Sequence, residues 1–168
     1  DRYLDIFKRF QAEQKLDEIQ KRLQQLFEQQ NALSEEINNL DSDTEPPTSQ
    51  RFAQEQQRNL DEFQNILSLI DDASTLVEPF SKASSEELSS LSKSDLSKET
   101  ESSLEETESS LKNQQFQNAQ ILSSNSIEKL DNMMQKMSAI QQGFQKETVS
   151  KMAQKFEKLM QNMLYLSS

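Results

Sequence analysis

Cysteine, histidine and tryptophan are all missing from this 168-residue chain, glycine occurs once and proline three times. Without cysteine there is no disulfide framework, thiolate metal site or cysteine nucleophile. Without histidine there is no Ser-His-Asp triad, no HExxH zinc helix and no Glu-x-x-His di-iron site. One glycine is too few for a phosphate-cradling loop or a dinucleotide fingerprint. The shortage of glycine and proline also starves the tight turns of a sheet protein. No run approaches the 18 or so consecutive apolar residues of a membrane span. No metal or cofactor is expected, and no catalytic residue can be nominated. The adjacent carboxylates at Glu35-Glu36, Asp71-Asp72, Glu86-Glu87 and Glu105-Glu106 fall on different faces of a helix and read as solvated charge.

What is present is lean and helical. Hydrophobic residues make up 33% of the chain, enough for a thin bundle in which each helix commits one stripe to the core. Twenty-two glutamines are spread along the chain, and glutamine favours helix. The net charge of −11 argues against nucleic acid as a partner, because phosphate selects basic faces. Only residues 127–168 are net basic, at +2. A chain that opens on Asp1 rather than Met reads as a fragment or a processed form.

The spacing predicts four helices in a single domain over 1–168. The first covers about 2–41: Leu16, Ile19, Leu23, Leu26, Gln30, Leu33, Ile37 and Leu40 alternate by three and four, a heptad seam with one polar member. Tyr3, Ile6, Phe7 and Phe10 form a stripe in a different phase, which reads, with Phe27, as a broadened bundle face. Residues 42–48 form a linker around Pro46 and Pro47, with Thr48 or Ser49 as the next N-cap. Asp41, Asp43 and Glu45 resemble the start of a calcium loop, but Pro46 stands where glycine is needed and Phe52 where the distal Glu is needed.

The second helix, about 49–78, is the most hydrophobic. Residues 81–112 hold twelve serines and only Ala83 and five leucines as apolar content. Their composition suits a linker, yet Glu99–Leu104 recurs as Glu106–Leu111 after seven residues, keeping Leu104 and Leu111 on one helical face. The expectation is a weak, mostly solvated helix over about 84–122. The fourth helix, about 125–166, starts at a capping pattern of Asn125 and Glu128 and holds all six methionines. Its apolar phase slips near Gly143, where a bend is expected.

The fold class is therefore all-α: an elongated, coiled-coil-like antiparallel helical bundle of three strong long helices plus one weak Ser-rich helix. The function expected is that of a non-enzymatic, acidic interaction or scaffold protein, binding other proteins through amphipathic seams as an assembly, tether or adaptor subunit. The alternative is a self-sufficient secreted or surface-exposed bundle that binds a host protein or lipid. The partners expected are helical proteins, in self- or hetero-assembly, with membrane-surface contact a secondary expectation. The candidate partner-binding residues lie in the last helix: Met133, Met137, Ile140, Phe144, Met152, Phe156, Leu159 and Met163, with Lys151, Lys155 and Lys158 beside them.

Overall fold

The computed structural model describes residues 2–167 and contains five α-helices: α1 (Arg2–Asn38), α2 (Pro46–Val77), α3 (Lys82–Ser92), α4 (Asp95–Lys112) and α5 (Phe116–Ser167). Helices α3 and α4 follow one another as a nicked column, so the chain makes a four-column bundle. Neighbouring columns run antiparallel. Arg22 meets Glu62 and Gln30 meets Gln56 between α1 and α2. Ser74 meets Ser85 and Gln64 meets Glu101 between α2 and the nicked column. Ser110 meets Asn118 and Ser97 meets Met133 between α4 and α5. Ser34 meets Ser123 where α5 returns along α1. Columns α1 and α4 lie on one diagonal, α2 and α5 on the other.

The α1 seam is buried as its spacing requires, from Ala12 to Ile37. In α2 the buried line is Ala53, Gln56, Leu60, Phe63, Ile66, Ile70, Ala73 and Val77. The core falls into two parts. A large cluster runs from Ala12, Val77 and Phe144 to Leu26, Leu60, Leu104 and Leu130. A smaller one joins Leu33, Ile37, Leu40, Phe52, Ala53, Leu111 and Ala119. Between them lies a polar layer. The Gln30 and Gln56 side chains exchange two hydrogen bonds of 2.9 Å, and Asn59 Nδ2 donates to Gln30 Oε1 at 2.9 Å. Every buried side-chain polar atom among the described residues has a partner.

Several boundaries differ from expectation. Helix α2 starts at Pro46, not at Thr48 or Ser49: both prolines sit in its first turn, where missing N–H groups cost nothing, and Glu45 is an N-cap without a side-chain bond. The Ser-rich column is far from mostly solvated. Ser84, Ser85, Ser97, Thr100, Ser103, Thr107 and Ser110 are buried, and the column breaks at Lys93 because Ser94 caps α4, accepting from the Ser97 N–H at 3.1 Å. The column also ends at Lys112. Gln114 takes φ 57°, and the amides of Gln114 and Gln115 bond back to Leu111 and Ser110, closing a Schellman turn. Residues 116–124 thus belong to the last helix, and Asn125 is interior to α5 rather than its cap. Helix α5 runs unbroken through Gly143.

Candidate functional site

The bundle has one plain end and one drawn-out end. At the plain end the α1–α2 linker and the α4–α5 turn close the smaller core cluster. At the other, the columns of α2 and α3 stop at the turn around Pro79, while α1 and α5 continue. Every residue of α5 from Val149 to Ser167 is exposed, as are nearly all of 2–11 in α1. At 1.5 Å per residue the α5 projection is roughly 30 Å long and that of α1 roughly 15 Å.

The core is sealed where the projection begins. Carrying the α1 seam backwards by sevens gives Asp5, Arg9 and Arg2; carrying the α5 seam forwards gives Glu147, Lys151, Gln154 and Lys158. These polar residues line the direction in which the core would have continued. Lys151 Nζ donates to the Phe80 carbonyl at 2.8 Å and pairs with Glu147 at 3.1 Å. Ser81 Oγ donates to the other Glu147 oxygen. The Ser81 hydroxyl, and after it Lys151, hold the Glu147 carboxyl below the usual carboxylate range.

The apolar residues of the projection sit one or two positions later on each helix, so they leave the core direction and face water. Among the described residues, fourteen of the fifteen exposed large apolar side chains lie in this projection, Ile121 being the exception. From α1 come Tyr3, Leu4, Ile6, Phe7 and Phe10. From α5 come Val149, Met152, Phe156, Leu159, Met163 and Leu166, spaced three and four apart, with Met160, Leu164 and Tyr165 widening the face. Phe10 is 53% exposed and Phe156 65%. The two helices stay side by side here, since the Arg9 guanidinium reaches the Met152 sulfur. A groove of about 310 Å³ runs along α1, lined by Tyr3, Ile6, Phe7, Arg9, Phe10 and Glu13.

The structure divides the candidate partner-binding residues between Phe144 and Lys151. Met133, Met137, Ile140 and Phe144 are buried in the chain's own core, against α4 and α1, and present nothing to a partner. Met152, Phe156, Leu159 and Met163 are exposed, on the same segment as Lys151, Lys155 and Lys158. The sequence pattern did not place Ile6, Phe7 and Phe10 with them. It gave these residues to a broadened bundle face, whereas they are over half exposed. The available signal was their phase: both apolar stripes leave the heptad register at the same end of an antiparallel pair.

No helix is long and apolar enough to cross a membrane among the described residues. Compared with family models, curated proteins and solved structures, the chain matches none. The fold defines an all-α, antiparallel helical bundle with a two-helix apolar projection.

Proposed function

We propose that this chain is a non-enzymatic interaction protein that joins partner helices through the projection of α1 and α5, as an assembly, tether or adaptor subunit. One observation carries the reading: the exposed large apolar side chains are concentrated at one end instead of scattered. Phe7, Phe10 and Phe156, each over half exposed, offer on the order of 100 Å² apiece. With the aliphatic and methionine side chains the patch reaches on the order of 1,000 Å². Ordinary monomers rarely show more than a few hundred, and a specific interface buries roughly 800 Å² per partner.

Crosslinking with mass spectrometry on the protein in its native source tests this. Crosslinks to other proteins should concentrate at Lys151, Lys155 and Lys158, with few at Lys21 or Lys112 on the body. Crosslinks spread evenly over the body, or centred there, would refute the assignment. The closed core gives some support to a second reading, a self-sufficient surface-exposed bundle that binds a host protein or lipid. That reading expects the tip to contact an envelope protein or a bilayer instead of an assembly of helices.

A further inference from the structure

We infer that the projection is built to receive an acidic amphipathic helix, laid along the outer valley between α1 and α5. The inference rests on the docking role proposed above and adds the partner's chemistry. Its first support is charge. Residues 2–11 and 148–167 carry six basic side chains (Arg2, Lys8, Arg9, Lys151, Lys155 and Lys158) against Asp5 and Glu157, a net +4. Residues 12–147 carry −14. A basic apolar tip on an acidic body favours an anionic partner and holds other acidic surfaces off the body.

The second support is spacing. Val149, Met152, Phe156, Leu159, Met163 and Leu166 follow the three-four alternation by which one helix receives the knobs of another. The exposed run spans roughly 27 Å, the length of a two- to three-heptad partner. Over roughly the first 15 Å of that run the apolar outer faces of α1 and α5 both flank the partner, as amphipathic helices are received in grooves; beyond the start of α1 the α5 stripe alone receives it.

Two other occupants fit less well. A second copy docked tip to tip would set +4 against +4, and the body of a second copy offers only Ile121 as an exposed large apolar residue. An anionic bilayer would attract the tip. However, α1 and α5 run as unbroken helices from the body into the tip, so laying their outer faces down brings the −14 body against the same surface.

The test uses the whole chain and three probes. One is a synthetic helix of about three heptads with leucine at the seam and glutamate on its flanks. The second is the same peptide with lysine for glutamate. The third is a vesicle of phosphatidylserine and phosphatidylcholine. Fluorescence anisotropy should show the acidic peptide binding at least about tenfold more tightly than the basic one. Lys155→Glu with Lys158→Glu takes the tip from +4 to 0 and should erase that preference, and Phe10→Ser with Phe156→Ser should abolish binding. All four side chains lie outside the core, so thermal unfolding should not move; Lys151 is kept because it bonds Phe80. Equal binding of both peptides, or vesicle binding without acidic-peptide binding, overturns the inference. So does a dimer, by light scattering, that Phe156→Ser dissociates. In all three cases the tip still docks something. If Phe10→Ser with Phe156→Ser changes no association of any kind, the docking role itself fails.

Discussion

Gln30 occupies a seam position that apolar residues hold at every other step from Ala12 to Ile37, and it is fully buried. Its amide donates to Gln56 and accepts from Gln56 and Asn59, so the layer fixes the axial register of α1 against α2: a slip of one heptad would bury three amide groups without these partners. Gln30→Leu should therefore destabilise the fold by about 1–3 kcal/mol, the cost of orphaned buried amides, despite adding apolar surface. Gln30→Leu with Gln56→Leu should recover part of the loss, and chemical denaturation of the three proteins checks both statements. A second residue under local constraint is Gln114, whose φ of 57° is a conformation glycine adopts freely. Gln114→Gly should raise stability by about 0.5–1 kcal/mol, read as an upward shift in melting temperature.

At the scale of the element, the nicked Ser-rich column shows where sequence pattern led and where it stopped. The seven-residue repeat at Glu99–Leu104 and Glu106–Leu111 located a helical face, but only its leucines counted as core. The buried line of α4 is Ser97, Thr100, Leu104, Thr107 and Leu111, again three and four apart. Its hydroxyls are hidden from an apolar-pattern search because they bond within their own helix or to the preceding turn. Thr100 Oγ1 donates to the Leu96 carbonyl at 2.6 Å, Thr107 Oγ1 to Ser103 at 2.6 Å and Ser97 Oγ to Leu91 at 2.6 Å. Small side chains fill this wall of the bundle, so a larger one has no room. Ser97→Leu should cost about 1–3 kcal/mol by overpacking, whereas exposed Ser102→Ala should stay within about 0.5 kcal/mol. The same blindness misplaced the last turn. The start of α5 at Phe116 is set by the Schellman turn at Gln114, and no glycine marks it. The long seams of α1 and α2 were legible because leucine, isoleucine and phenylalanine carry them; the projection was legible only as two stripes out of phase.

Taken whole, the molecule separates folding from its exposed apolar surface. The larger core cluster of the body ends at Val77, closed off by Ser81, Glu147 and Lys151, and beyond that plug no residue of α5 is buried. Residues that unfold the body and residues that project from it are therefore different sets. Leu23→Asp or Phe63→Asp places an unpaired ion in the sealed core and should destabilise by several kcal/mol. Removing residues 153–167 takes away only exposed side chains, Phe156, Leu159, Met163 and Leu166 among them. The shortened chain should unfold in one cooperative transition, with stability within about 1 kcal/mol of the full chain, because the Lys151 and Glu147 contacts at the plug are kept. Its denaturant m-value should also change little, since that slope follows the area exposed on unfolding and these residues are exposed already. Urea titrations followed by circular dichroism measure both quantities. A loss of several kcal/mol on truncation would mean that the projection folds back onto the body, and the separation of core from exposed surface would then be wrong.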